Sequence, residues 1–396
     1  MKVAFFTHYT TLYGANRSLL NLIDGLKTYG VESYVIAPSE GDITNALKEQ
    51  NVAFATYPIQ WWVDKLNHSD KPKFKARWLE RVYRFAQYRR NAAIRLYRNL
   101  RLVPLLKQQL KQWDVDLVYT NASVTPIGAL VAKSLNLPHV WHFREFIDLD
   151  YGLCHDWGKF VFNQLVGQAD ARVAISKAIY AHLLHELPPD RNHIIYNGVA
   201  SVSEFDRLLQ ITSLSIRDNK FFTFALLGVL LPHKGQDIAI RALALLVESF
   251  PQTRLLIVGQ GNDARLRELA IELNVQNNVE FWGHIDDPYK AYLEADVVLM
   301  CSKNEGMGRV TVEAMAACRL VIGYDNAGTS EIVQHEQTGL LYQGGFEELA
   351  VQMKRCVENP AWGRQIGKNA WQFARNEYSV ETYAKNIYKV LLSVVK

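Results

Sequence analysis

Two glutamates, Glu305 and Glu313, flank a Gly306-Met307-Gly308 turn in NEGMGRVTVEAMA, residues 304 to 316, directly after the apolar run VVLMCS. Their eight-residue spacing is not informative alone, since Glu32/Glu40 and Glu272/Glu280 share it. The context carries more. A buried strand runs into a glycine-containing loop, and the loop opens a helix rich in small residues that pack closely on a sheet. Such a corner presents unpaired backbone N–H groups and the positive end of the helix dipole, which together receive phosphate. There Glu313, about one turn into the helix, is placed to accept hydrogen bonds from a ribose diol, and Glu305 at the strand exit from sugar hydroxyls. The glycines let main chain approach a ligand. Taken by itself, the segment is read more simply as a solvated loop glutamate followed by a surface glutamate favoured by the dipole.

The elements that must hold this corner come from hydrophobic periodicity. KVAFF, ANRSLLNLIDGLKTYG and ESYVIA read as strand, helix and strand, and the alternation continues through DLVYTN, HVWHF and RVAIS. It restarts after Asn219 with FFTFALLG, RLLIVG, VEFWG, VVLMCS and LVIGY. That pattern predicts α/β architecture with two parallel sheets, and a chain of 396 residues is long for one domain. YNGVASVSEF reads as the boundary, with an Asn-Gly turn and no strong period before Phe221. The expected domains are 1–200 with 380–396, and 201–379. The four cysteines, Cys154, Cys301, Cys318 and Cys356, form no Cys-x-x-Cys pair and are expected to be buried free thiols in a reducing compartment. The early apolar run VAFF is too short for a secretory signal and FFTFALLGVLL too short for a membrane span, so a cytoplasmic location is expected.

SKNEGMGRVTVEAMAACRLVIGYDNAGTSEIVQHEQTGLLY resembles the donor-site signature of retaining glycosyltransferases of family 4, and YGANRSLL, VAISKAI, IIYNGV, LGVLLPHKGQDIAIRAL and LLIVGQG match in family order and spacing. The resemblance spans roughly residues 1–60 and 114–396. It implies the GT-B fold: two Rossmann-like, doubly wound domains facing an inter-domain cleft, with YSVETYAKNIYKVLLSVV returning as a helix to the N-terminal domain. By resemblance, Lys234 neutralises the donor diphosphate, where negative charge grows as the glycosidic bond breaks. Glu305 meets the donor sugar and Glu313 the ribose, with the Gly306, Met307, Gly308, Arg309 and Val310 backbone around phosphate and sugar. Gly283 and His284 match the segment that meets the base, Gly14 a close backbone approach, and His142 a strand-end histidine facing the reacting sugar. Glu305, His142 and Lys234 are thus the catalytic candidates. Tyr13, Asn16, Arg144 and Glu145 are acceptor-side candidates, and His8 is a weaker analogue of His142.

The chain departs from the family pattern at several of these positions. Val229 replaces an arginine of the diphosphate clamp, leaving Arg309 or another basic group to compensate. Met307 stands where an aromatic residue is common. Tyr13 and Asn16 replace the first glycine of a Gly-Gly pair and a glutamate.

Residues 71–112 hold 13 Lys/Arg against one acid, Glu80; this +12 leaves −8 on the rest of a chain of net +4. Trp78, Val82, Phe85, Ala92, Leu96 and Leu100 recur at helical spacing beside Arg77, Arg81, Arg84, Arg95 and Arg98. The stripe reads either as a solvated helix packed by its aromatic face or as a surface for anionic lipid, with Trp61, Trp62 and Trp78 near the headgroups. The lipid surface is the preferred reading; without a recognition motif, nucleic acid is not expected. Asp114–Asp116 and Asp148–Asp150 imitate an Asp-x-Asp metal signature, but the first precedes its strand, so both are read as solvated turns and no metal is expected. VGQGND lacks the third glycine of a dinucleotide loop.

The expected activity is transfer of a hexose, glucose or a relative, with retention, from a UDP-linked sugar to a lipid-linked or growing polysaccharide. No cofactor is expected beyond the nucleotide sugar as donor substrate, and the location allows peripheral contact with the inner membrane face. The rival readings are a nucleotide-sugar epimerase of the same fold and a catalytically silent sugar-nucleotide or lipid-surface binding protein.

Overall fold

The computed structural model describes residues 1–65, 76–214 and 220–395. Residues 71–75 of the basic stretch, and Asn219, lie outside the described residues. The chain divides into two compact units, one of residues 1–196 with 383–396 and one of residues 197–382. The sequence placed these boundaries at 200/201 and 379/380.

The first unit holds β1 (Lys2–Phe6), β2 (Glu32–Ala37), β3 (Ala53–Thr56), β4 (Val63–Asp64), β5 (Leu117–Thr120), β6 (His139–Phe143), β7 (Cys154–His155), β8 (Ala171–Ala174) and β9 (Asn192–Ile194). Seven of them form a parallel sheet in the order β3-β2-β1-β5-β6-β8-β9, and β4 pairs with β7 in a separate antiparallel ribbon. A parallel sheet is covered on both faces, so its strands read as continuous apolar runs. One face packs Phe5, Val35, Tyr119, Val140 and Val173 against Leu19, Leu22, Ile23 and Leu26 of helix Gly14–Lys27. Tyr383, Ala384, Ile387, Val390 and Leu391 of helix Val380–Val394 join them. The other face packs Ala4, Phe6, Ile36 and Val118 against Ile127, Val131, Leu106 and Leu110.

The second unit holds β10 (Phe222–Leu227), β11 (Thr253–Val258), β12 (Val279–Gly283), β13 (Val297–Met300), β14 (Leu320–Tyr324) and β15 (Leu340–Tyr342), parallel in the order β12-β11-β10-β13-β14-β15. In both sheets the order runs outward from the first strand and then reverses, which is doubly wound Rossmann topology. Ligands of such sheets sit beyond the carboxyl ends of the strands at the reversal. Those ends are β1 and β5 in the first unit, and β10 and β13 in the second.

Several local expectations are corrected. The stretch after Asn197 lacked a strong period in sequence yet carries helix Val202–Leu214. The short strands β3, β9 and β15 went unread. Asp148–Asp150 lies in the helix Ile147–Tyr151, not a turn, and Asp148 bonds His182 Nε2 at 2.9 Å. All four cysteines are free, but only Cys301 and Cys356 are buried; Cys154 and Cys318 are half-buried.

Candidate active site

In the second unit, the loops after β10 and β13 bring the chemistry together. Pro232–Lys234 is one 3-10 turn, ended by Gly235 in the left-handed region at φ 72°. A Cβ on Gly235 would lie 2.7 Å from the Cβ and carbonyl oxygen of Cys301, so only glycine lets this turn rest on the end of β13. The consequence is an ion pair between Lys234 Nζ and Glu305 Oε1, 71 residues apart in sequence. The Glu305 carbonyl accepts from Gly328 N at 2.9 Å, which anchors the loop. Gly308, at φ 74°, opens helix Arg309–Ala316, whose second residue is Val310. Met307 is buried with its sulfur 3.0 Å from Asn197 N, so that side chain belongs to the packing.

Glu313 is only 8% exposed. Its Oε2 accepts from Tyr292 OH at 2.8 Å and its Oε1 from Arg309 at 3.2 Å. A dipole-favoured surface glutamate is thereby excluded. Arg309, raised as a substitute for the arginine absent at Val229, is engaged by Glu313 in this structure. Val229 carries no charge, and its carbonyl accepts from Gln236 Nε2 at 3.1 Å. Gly283 and His284 end β12 as exposed residues, and Gly283 O accepts from Gly259 N at 2.8 Å. Gly259 and Gly261 do not form a dinucleotide loop; they press against Gly228 and Leu230 beside β10.

In the first unit, the carboxyl ends of β1, β5 and β6 gather His8, Asn121, Arg144 and Glu145. Gly14 is exposed at the start of its helix, behind an exposed Tyr13. Asn16 is fully buried: its amide donates to Tyr9 O at 2.9 Å and Thr11 O at 2.8 Å, while Thr7 Oγ1 donates to its Oδ1. Asn16 therefore folds the loop after β1 and leaves no donor for an acceptor.

His142 is corrected more sharply. It lies inside β6, one residue before the strand ends, with no exposed surface. Its Nδ1 meets Tyr119 OH at 2.6 Å and an Arg144 nitrogen at 3.1 Å. A guanidinium only donates, so Nδ1 accepts and the ring proton sits on Nε2, which is enclosed without a partner. Burial, reinforced by Arg144, holds the His142 pKa well below the ordinary imidazole value. The ring faces the helix layer and has no exposed surface in this structure.

Arg144 is itself buried, donating to Asn121 Oδ1 and to Tyr383 OH, each at 2.9 Å. Glu145 differs: its Oε1 is buried without a hydrogen-bond partner, and burial raises its pKa to about 7 against the opposing pull of Arg144. His8, buried beside Trp61, is pushed down to about 3, first by burial and then by Arg144.

The basic helix, Arg77–Trp113, turns most of its aromatic stripe outward, which excludes the reading of a helix packed by its aromatic face. Trp78 (64%), Val82 (60%), Phe85 (59%) and Tyr97 (60%) are exposed, with Leu100 and Leu105 beyond them. The buried positions are Tyr88, Ala92, Asn99, Leu106 and Leu110. Arg77, Arg81 and Arg98 are exposed, but Arg84 pairs with Glu80 at 2.6 Å. Arg95 clamps Asp156, at 2.5 and 3.0 Å, together with Asp64. Trp62 is also removed from any surface, buried and stacked on Trp141. Among the described residues no helix is long and apolar enough to cross a membrane, and no three His, Cys, Asp or Glu side chains stand together as a metal site. Asp114 and Asp116 both bond Lys2, before β5 and away from the strands' carboxyl ends.

Two doubly wound units with charged side chains at the strand reversals define a GT-B glycosyltransferase architecture. Residues 13–201 match the Glycosyltransferase Family 4 model and residues 210–373 the model of glycosyl transferases group 1. The chain belongs to the family 4 type of glycosyltransferases. An uncharacterized glycosyltransferase of Haemophilus influenzae is 24% identical over 70% of this chain and 76% of that protein. The putative glycosyltransferase EpsD of Bacillus subtilis is 25% identical over 68% and 74%. Among solved structures, Anabaena Alr3699/HepE in complex with UDP has a TM-score of 0.76 and 22% identity, covering 99% of this chain and 100% of that one. WaaG, a glycosyltransferase involved in lipopolysaccharide biosynthesis, has a TM-score of 0.65 and 18% identity over 98% and 99%. At such identities these two likenesses speak for the fold alone. The epimerase and silent-binder readings are not favoured.

Proposed function

We propose that this glycosyltransferase moves a hexose, glucose or a relative, with retention from a UDP-linked donor to a lipid-linked or growing polysaccharide. The observation that carries the reading is the meeting of Lys234 and Glu305 at the β10/β13 reversal, beside a helix N-terminus and the built carboxylate of Glu313. In the donor complex Lys234 leaves Glu305 for the diphosphate, Glu313 takes the ribose, and Glu305 is freed for sugar hydroxyls. The bond from the anomeric carbon to the diphosphate oxygen breaks as the acceptor oxygen bonds the same face. The acceptor proton passes to the departing phosphate. Lys234 and the backbone N–H groups balance the leaving charge, so the reaction proceeds without a divalent cation. Glu145 replaces His142 as the acceptor-side group of the first unit, and His142 holds Arg144 in place.

The UDP donor is supported by Anabaena Alr3699/HepE, which has been solved with UDP and with UDP-glucose. Thermal shift against UDP-glucose, UDP-galactose and GDP-mannose tests it. A donor at 100 times its dissociation constant should stabilise the protein by about 2.7 kcal/mol, and no shift with any of the three would remove the reading. Proton NMR of the product reports retention through its anomeric coupling. Turnover should persist in excess EDTA; loss restored by magnesium would refute the metal-free assignment.

The lipid reading is kept in altered form. The outward ridge of Trp78, Val82, Phe85, Tyr97 and Leu100 rests in the headgroup layer, with the exposed Arg77, Arg81, Arg98 and Arg101 beside it. Cosedimentation should show binding to anionic vesicles at low salt and loss of it when Trp78, Phe85 and Tyr97 become serine. Equal binding by that variant would eliminate this surface.

A further inference from the structure

The Glu313 carboxylate is oriented from behind, by a residue that no motif contains. Tyr292 lies on the short helix Tyr289–Glu294 with no exposed surface, and its OH donates to Glu313 Oε2 at 2.8 Å. Burial first, and the Glu313 charge second, hold the phenol pKa far above its ordinary value, so the group remains a donor at any working pH. The helix is itself fixed at its end. Arg319, also buried, donates to the carbonyls of Tyr292 at 2.8 Å and Leu293 at 3.2 Å, two of the acceptors that a helix terminus leaves open. On the other side, Arg309 donates to Oε1 at 3.2 Å.

A carboxylate offers about four lone-pair sites, two on each oxygen. Tyr292 takes one on Oε2 and Arg309 one on Oε1, which leaves one acceptor site on each oxygen. Two parallel acceptors about 2.2 Å apart are what a vicinal diol donates to. The terminal torsion of a glutamate is otherwise broad, so an unheld carboxylate would present this pair only part of the time.

We infer that Tyr292, assisted by Arg309, is a positioning residue for nucleoside recognition, holding Glu313 so that both its free sites face the ribose hydroxyls of the donor. This inference rests on the ribose role proposed for Glu313. Its signature is selectivity for the diol, which a purely packing role for the tyrosine does not produce.

Calorimetry with UDP and 2′,3′-dideoxy-UDP tests it on wild type, Tyr292→Phe, Glu313→Gln and the double variant. Wild type should prefer UDP by roughly tenfold or more, since two charge-assisted hydrogen bonds are lost with the hydroxyls. In Tyr292→Phe that preference should fall to within about threefold. In the Glu313→Gln background, adding Tyr292→Phe should change the preference no further. Should Tyr292→Phe fail to fold, Arg309→Gln removes the other orienting bond, and the same drop is expected. A wild-type preference that survives intact in Tyr292→Phe, or in Arg309→Gln where that stands in, overturns the inference while leaving Glu313 at the ribose. Absence of any preference in wild type, or of UDP binding, overturns the ribose or UDP reading beneath it.

Discussion

Lys234 and Asn16 stand just beyond the first strands of their sheets, and the structure gives them opposite fates. Lys234 is half-exposed and paired with Glu305, so Lys234→Ala should lower donor affinity by about 1.5–3 kcal/mol in calorimetry while the fold persists. An unchanged affinity would misplace the diphosphate. Asn16→Ala should instead lower stability by about 1–3 kcal/mol in denaturant melts, because the buried Thr7 Oγ1 and two half-buried carbonyls lose their partner. The sequence showed both as polar residues near a loop. It could not show that all of Asn16's partners lie within nine residues of it. His142 was misjudged for a related reason. A period of two tells which residues of β6 share a face, and here that face is closed by helices carrying Tyr383. The strand HVWHF was read with its observed ends; that helices close the face carrying His142 is a tertiary fact that periodicity does not hold.

At the scale of elements, the basic helix was legible as a helix, but its buried seam was not. Its true seam runs through Tyr88, Ala92, Arg95, Asn99, Leu106 and Leu110, and it looks polar because two of its members are bonded inward. Asn99 exchanges two 2.9 Å hydrogen bonds with the backbone of Gln60, and Arg95 clamps Asp156. The stripe with the larger apolar side chains faces outward. Arg95→Gln should therefore cost about 3 kcal/mol, since Asp156 is 1% exposed and would be left a buried charge without its guanidinium. Arg98→Gln, on the outer side, should leave the melting temperature unchanged. Equal effects of the two would mean that the clamp contributes nothing. The turn after Lys234 gives a second test at this scale. Gly235→Ala combines a left-handed backbone with a 2.7 Å approach to Cys301, so it should displace Lys234 and weaken donor binding along with stability. The glycine was legible in the PHKG motif; its contact with β13 was not, because the two segments are more than sixty residues apart.

At the scale of the molecule, the first unit collects buried histidines and should respond to acid. Burial pushes His8 and His139 down to about 3 and His155 to about 4, against about 6.5 unfolded. Groups with depressed imidazole pKa values are neutral in the fold and take up protons on unfolding, so their stabilisation is full above about pH 6.5 and is lost as pH falls. Each contributes up to about 1.4 kcal/mol per pH unit. Glu145, raised to about 7 in the fold, opposes them by taking up a proton in the native state between about pH 7 and 4.5. Burial also lowers His142 and His193, so the histidines outweigh Glu145 and melting temperature should drop between pH 6.5 and 5, with amide exchange accelerating in the first unit; a flat profile would refute neutral burial. The two-sheet plan was the most legible level of all, since alternating strand and helix periods repeat along the chain, whereas one seam follows a three-residue strand and the other falls inside helix Val380–Val394, where the helical period runs on unbroken. One feature of that plan bears on synthesis. The first unit is interrupted after Tyr196 and resumes at Tyr383, with the whole second unit between. On the ribosome the domain that begins first therefore closes last. Until Tyr383 to Leu391 emerge, the sheet face of Phe5, Val35 and Val173 is covered by helix Gly14–Lys27 alone, and it is in the remaining gap that a chaperone would find its grip.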